Sequence, residues 1–167
     1  MPPVTGYPSP LATGWWTMRL PFTRFLVVCT GNICRSPMGE AYLRDRLGAG
    51  GEFLIGSAGT GALVGYPADD HAITAMQEKG LDISAHRAQQ LTLALARNYD
   101  LLLVMDDGHR EWIEKNHPVL RGRLYRFGHW LDAEVVDPVG QPLEAFREAR
   151  DLIERSADAW AQRLLSH

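Results

Sequence analysis

Cysteine is scarce in this chain: only Cys29 and Cys34 occur among 167 residues. Two so close together cannot staple a disulfide framework, and such a count suits a reducing cytosol. Lys and Arg never form a block longer than two, and the formal net charge is −3. No global basic field is therefore available to hold a nucleic-acid backbone, and no nucleic-acid partner is expected. Long apolar runs are also missing. None approaches the roughly 18 residues that cross a bilayer, so no membrane span is expected and the chain reads as cytoplasmic. The six histidines include no HExxH and no Cys/His cluster, so no metal is expected. His109, His117 and His129 read as surface or capping residues. No GxxxxGK[ST] is present, and Gly59-Thr60-Gly61 with Gly65 misses the dinucleotide spacing by one residue, so no nucleotide cofactor is expected either.

What is present is an ordinary globular balance, 46% hydrophobic against 22% charged, enough to bury a core in one domain. Residues 1–23 stand apart, with Pro2, Pro3, Pro8, Pro10 and Pro21, the Trp15-Trp16 pair and the single charge of Arg19. They lack a basic start followed by an apolar run, which excludes a signal peptide. This segment reads as a flexible or misassigned leader, with Met18 as an alternative start; residues 24–167 form the domain.

From residue 25 onward two kinds of pattern alternate. FLVV at 25–28, FLIGSA at 53–58, LLLVM at 101–105 and the weaker run at 124–127 predict strands, the apolar ones buried on both faces. Residues 37–47, 69–79 and 107–115 predict helices, the second ending at Gly80. Leu143, Phe146, Ile153, Ala157, Trp160 and Leu164 recur every three or four positions, giving one long amphipathic helix in which Arg150 breaks the stripe. Alternation of this kind predicts an α/β fold: a single domain with a four-stranded parallel sheet and helices on both faces. Its site should lie at the carboxyl ends of the strands.

The end of the first strand carries the chemistry. Cys29-Thr30-Gly31-Asn32-Ile33-Cys34-Arg35-Ser36 places a thiol, five residues, an arginine and a hydroxyl on a strand-to-helix turn. Such a turn can curl its backbone N–H groups around a phosphate dianion at a helix N-terminus. Gly31 frees one backbone position and Asn32 tolerates the left-handed region. Arg35 offers a planar fork for two phosphoryl oxygens. The same field favours a thiolate at Cys29, a nucleophile aimed at phosphorus. Expelling an alkoxide or phenoxide also needs a proton donor on a loop reaching over the phosphate. Asp137, stiffened by Pro138, fits that need, with Asp132 and Glu134 as fallbacks. Cys34 lies five residues along the same loop and could trap an oxidised Cys29 as a disulfide.

VCTGNICRSPMGEA at 28–41 resembles the active-site signature of the low-molecular-weight protein-tyrosine phosphatases. The similarity continues through SAGTGALVGYPAD, ISAHRAQQL, LLLVMDDGH and VVDPVG, spanning about residues 24–165. The resemblance implies a phosphatase domain with no metal or other cofactor and a two-step mechanism through a phosphocysteine. By matching position, Cys29 would be the nucleophile, Arg35 the clamp, Ser36 a hydroxyl bonded to the thiolate, and Asp137 the general acid. Asn32, Ser57 and His86 would hold the loop in shape. Leu63 and Val139 would line the substrate slot, and Trp130, which reads first as a packing residue, lies near enough to Asp137 in the sequence to border it. The segment around Leu63 is similar to bacterial phosphatases paired with exopolysaccharide tyrosine kinases, which implies a phosphotyrosine protein, and a bacterial tyrosine kinase among others, as partner. Two positions depart from the pattern. Val139 stands where an aromatic commonly follows the Asp-Pro pair, and Gln89 where an Arg often stands, so any ion pair made there is absent or moved. Three alternatives are weighed against this reading. Arsenate reductases relay a disulfide through further cysteines that this chain lacks. Protein-arginine phosphatases carry Thr where Ile33 stands. A non-catalytic phosphate-binding module would have no use for Cys29, Arg35 and Asp137 together.

Overall fold

The computed structural model describes residues 20–48 and 50–165. The leader expected at 1–23 falls outside these except for its last four residues, and Met18 and the Trp pair lie outside them. The elements are β1 (Arg24–Cys29), α1 (Arg35–Leu47), β2 (Leu54–Gly59), α2 (Asp70–Gln77), α3 (Leu93–Ala96), β3 (Leu101–Val104), α4 (Asp107–Asn116), β4 (Leu124–Arg126) and α5 (Leu143–Leu165). The four strands pair in the order β2-β1-β3-β4, all parallel. Parallel neighbours need crossovers, and the helices supply them.

Strand alternation divides the core into two layers. Phe25, Val27, Leu101, Leu103 and Met105 face one way, toward α1, α2 and α5, where Met38, Tyr42, Phe146, Ile153 and Trp160 are buried. Leu26, Val28, Leu102 and Val104 face the other way, toward Ile113 of α4 and Ala96 of α3. β1 and β3 lie centrally and are buried on both sides, as their unbroken apolar runs require.

Several expectations shift in detail. α1 begins at Arg35 rather than at 37, because the Cys34 carbonyl accepts the Met38 N–H at 3.3 Å. β2 is displaced by one residue, β3 and β4 each end one residue short, and α2 ends at Gln77. α3 is a single turn capped by Thr92, whose hydroxyl accepts the Leu95 N–H at 3.1 Å. One turn is too short to register as periodicity. Arg150 does not interrupt the buried stripe of α5. It is itself buried, donating to the Ala75 carbonyl at 2.9 Å and pairing with Glu78 at 2.7 Å. Among the described residues no helix is long and apolar enough to cross a membrane.

Candidate active site

β1 delivers Cys29 to the carboxyl end of the sheet, and residues 29–36 curl there before α1 begins. The curl is held from outside. The carbonyls of Cys29, Thr30 and Gly31 accept the N–H groups of Thr60, Gly61 and Leu63 at 3.0, 3.0 and 3.1 Å. The Asn32 carbonyl accepts Nε2–H of His86 at 2.6 Å, and the Ile33 carbonyl accepts the Asp69 N–H at 2.8 Å. With every carbonyl turned outward, the N–H groups of Thr30 through Cys34 donate to no partner among the described residues. They form a concave ring of donors at a helix N-terminus, an anion nest.

Asn32 is the peg of the loop. It sits fully buried at φ 59°, in the left-handed region it was expected to tolerate. Its Nδ2 donates to Ser36 Oγ at 2.8 Å and Ser57 Oγ at 3.0 Å, while its Oδ1 accepts the Gln89 N–H at 2.8 Å. Ser36 Oγ also lies 2.9 Å from Cys29 Sγ. Since Ser36 already accepts from Asn32, its own hydrogen is left to donate to sulfur, which stabilises a thiolate. The glycine that the loop needs is not Gly31, whose added Cβ would make an ordinary 3.6 Å contact and whose φ is not positive. It is Gly59, where a Cβ would stand 2.3 Å from the Thr30 carbonyl oxygen.

Arg35 is buried and anchored at one edge of its fork. Nη1 donates to Asp106 Oδ2 at 2.9 Å and to the Val135 carbonyl at 2.8 Å. Nη2 lies 3.5 Å from Asp137 Oδ2. Burial alone would raise the Asp106 carboxyl, but the Arg35 hydrogen bond and the neighbouring His109 hold its pKa below the ordinary value. His109, expected as a surface or capping residue, does cap α4, in a reciprocal box with Asp106, and it is buried. Burial pushes its pKa down to about 4, so it is neutral at pH 7. Its Nδ1 accepts the Asp106 N–H at 3.2 Å, which leaves Nε2–H to donate to Thr30 Oγ1 at 2.9 Å. His109 thus ties Thr30 of the nest to Asp106, the carboxylate that holds Arg35.

Asp137 overhangs Arg35 with its side chain 40% exposed, and its Oδ1 accepts the Val139 N–H at 3.1 Å. Leu63, 45% exposed, is bonded through its N–H to Gly31, and Val139, 50% exposed, follows Asp137. Two exposed apolar side chains thus belong to segments bonded to the loop and to Asp137. Trp130 has other contacts: its ring packs on Trp160 at 5.3 Å and under the Arg163 guanidinium at 4.0 Å, on the α5 side. Cys34 is buried and unpaired, and burial, with the charges of Asp69 and Cys29, pushes its thiol up, so it is protonated at pH 7. Gln89 makes no ion pair; its Nε2 donates to the Ser57 carbonyl at 2.8 Å instead. Sequence reasoning assigned no site role to Asp106 or Gly59, read His109 only as a surface or capping residue, and noted Gln89 only as a departure from the family pattern. The Asp-x-x-His spacing after a strand was the one available signal.

The family model for low molecular weight phosphotyrosine protein phosphatase matches residues 24–167. EpsP of Ralstonia nicotianae, a probable low molecular weight protein-tyrosine-phosphatase, is 49% identical over 139 residues, covering 83% of this chain and 94% of that protein. The structure of Vibrio vulnificus Wzb in complex with benzylphosphonate superposes with a TM-score of 0.82 at 43% identity, covering 86% of this chain and 99% of the other. The YwlE arginine phosphatase of Geobacillus stearothermophilus is also similar, with a TM-score of 0.79 at 34% identity over 86% of this chain and 93% of that one.

Proposed function

This chain belongs to the low molecular weight phosphotyrosine protein phosphatase family, and from that membership we propose that it hydrolyses phosphotyrosine in proteins through a phosphocysteine. The observation that carries this reading is the ring of N–H groups from Thr30 to Cys34 that have no partner among the described residues, closed by Arg35 and centred on a sulfur that Ser36 stabilises. A phosphoryl dianion fits that ring. Cys29 Sγ attacks phosphorus, forming an S–P bond as the P–O ester bond breaks, and Asp137 gives its proton to the departing phenolate oxygen. The Asp137 carboxylate then takes a proton from water, whose oxygen attacks phosphorus and releases inorganic phosphate and the thiolate. Arg35 Nη2, the end of the fork turned toward Asp137, holds the equatorial oxygens whose charge grows in both transition states.

Leu63 and Val139 give an aryl ring apolar walls that a serine stem would not reach. Benzylphosphonate bound to the Vibrio vulnificus relative is an aryl ligand of this kind. Ile33 presents an apolar side chain beside the nest and disfavours the guanidinium of phosphoarginine. The substrate is a phosphoprotein modified by a bacterial tyrosine kinase, in the setting of exopolysaccharide production that the resemblance implies. The test is kcat/KM on matched peptides. Phosphotyrosine should exceed phosphoserine and phosphoarginine by at least about tenfold, roughly 1.4 kcal/mol of transition-state binding. Preference for phosphoarginine, or indifference among the three, would overturn it.

A further inference from the structure

A strongly basic surface lies away from the nest, on the open edge of the sheet. β4 is an edge strand, and two cavities of about 490 and 460 Å³ adjoin it. They share Gly122 and Tyr125 as a common wall, so the Arg121-Gly122-Arg123 turn separates two parts of one concave tract. Arg110, Arg121 and Arg126 line the upper cavity, and Arg24, Arg97 and Arg123 the lower. Six guanidiniums thus meet only three lining carboxylates, Asp100, Asp107 and Glu114, in a chain whose net charge is −3.

Two of the three carboxylates already have partners. Asp100 Oδ2 accepts the backbone N–H groups of Thr23 and Arg24 at 2.9 and 3.0 Å. Arg126 takes Asp132 at 2.6 Å and faces Asp107 at 3.9 Å. Among the described residues the other five arginines form no ion pair, and Arg110 Nε is buried without any hydrogen-bond partner. A buried guanidinium N–H with nothing to donate to is costly, and Arg110 brings a charge with no carboxylate partner among the described residues to the wall of the upper cavity. Asp107 lines the upper cavity and is next in the chain to Asp106, which holds Arg35 at 2.9 Å. The basic tract therefore runs along the edge strand from the amino-terminal end of the sheet toward the end that carries the nest.

We propose that this tract is a docking site for an acidic segment of the phosphoprotein substrate, engaged while the phosphotyrosine of the same chain lies over Cys29. The inference rests on the phosphotyrosine reading and adds a substrate class to it: phosphotyrosine with Asp or Glu residues a short distance away in sequence. At about 3.3 Å per extended residue, the length of β4 and the cavity above it place those acids roughly three to eight residues from the phosphotyrosine. Concavity favours such a segment over a flat anionic membrane, and the overall acidity of the chain disfavours a nucleic acid. Tyr99, which lines the tract and is partly exposed, offers ring surface to the stems of acidic side chains.

The experiment compares two phosphotyrosine peptides that differ only in a four-residue extension, Glu in one and Gln in the other, placed on either side of the tyrosine. In low salt one Glu peptide should show a KM about fivefold below its Gln partner, the size that two or three exposed ion pairs supply. The advantage should vanish near about 0.5 M salt. It should also vanish in the exposed double variant Arg121→Ser/Arg123→Ser, and in Arg110→Gln, while hydrolysis of nitrophenyl phosphate stays at the wild-type rate. Equal KM values for Glu and Gln peptides, or a Glu advantage that survives the variants, would overturn the docking site and leave the phosphotyrosine activity standing. Failure of every peptide with nitrophenyl phosphate still turned over would instead strike the phosphotyrosine reading itself. Equal peptides together with arginine-dependent binding to phosphatidylglycerol vesicles would reassign the tract to a membrane surface and refute the proposal.

Discussion

Cys29 and Asp137 divide the proposed chemistry, so their removal should be distinguishable. A hydroxyl in place of the thiol has almost no anionic form near pH 7, and Cys29→Ser should lose at least about a thousandfold in kcat while inorganic phosphate still binds the nest. Asp137→Ala should cost about a hundredfold on phosphotyrosine but much less on a nitrophenyl ester, whose leaving group needs little protonation; a single-turnover comparison of the two esters checks this. Wild-type rates on phosphotyrosine would send the proton donor elsewhere. His109 predicts a pH effect. Its folded pKa is depressed to about 4 from an ordinary 6.5, so the unfolded chain binds the extra proton. Its contribution is complete above about pH 6.5 and is lost as pH falls toward 4. Wild type should lose about 2 kcal/mol between pH 7 and pH 5 from this group, and His109→Asn should flatten that slope in urea titrations. Cys34 carries a redox prediction. Peroxide turns the Cys29 thiolate into a sulfenic acid, and the Cys34 thiol can displace its hydroxyl as water to give a disulfide. Thiol reductant should then restore wild type but not Cys34→Ser; equal recovery of both would remove the protective role.

Among the elements, the carboxyl end of β2 is what forces the shape of the loop after β1. Thr60, Gly61 and Leu63 supply the N–H groups that pull three loop carbonyls outward, and Gly59 lets the two backbones approach. Gly59→Ala would place a methyl 2.3 Å from the Thr30 oxygen. Because that contact is with backbone, the loop has to move. Phosphate affinity and kcat/KM on nitrophenyl phosphate should both fall at least about tenfold, while far-ultraviolet circular dichroism remains unchanged. Gly31→Ala, with only an ordinary contact to meet, should be far milder. The pair of variants separates a glycine needed for approach from one that merely occupies the signature.

Across the whole molecule, the helical layer behind the sheet is tied together by charge as well as by apolar contact. Glu78 joins α2 to Arg147 and Arg150 of α5, and hydrogen bonds from these arginines pull its carboxyl down to about 2. Arg150 is the buried member and also satisfies the Ala75 carbonyl at the end of α2. Arg150→Ala should cost about 2 kcal/mol in chemical denaturation, through the orphaned carbonyl and the lost packing of its stem. Arg147→Ala, on the exposed side of the same pair, should cost less than about 1 kcal/mol. Equal losses would show that burial of Arg150 contributes nothing.

Much of this was legible along the chain because it depends on neighbours in sequence. Unbroken apolar runs marked β1 and β3, the three-to-four spacing marked α5, and Cys29 through Ser36 carried the thiol, arginine and hydroxyl within eight consecutive positions. Family resemblance extended that to Ser57, His86 and Asp137. What the sequence could not supply were contacts between distant segments. Asp106 meets Arg35 across 71 positions, the Val135 carbonyl meets it across 100, and Arg150 finds Ala75 across 75. Each such partner is an ordinary residue locally: a helix cap, a loop carbonyl, an arginine inside an apolar stripe. The same holds for Gly59, whose necessity comes from the backbone of another strand, and for the basic tract, whose arginines come from four separate stretches. Local pattern determines which groups can form elements and nucleophiles. Only the parallel stacking of four strands, by bringing their carboxyl ends to one edge, decides which distant dipoles and charges bear on them.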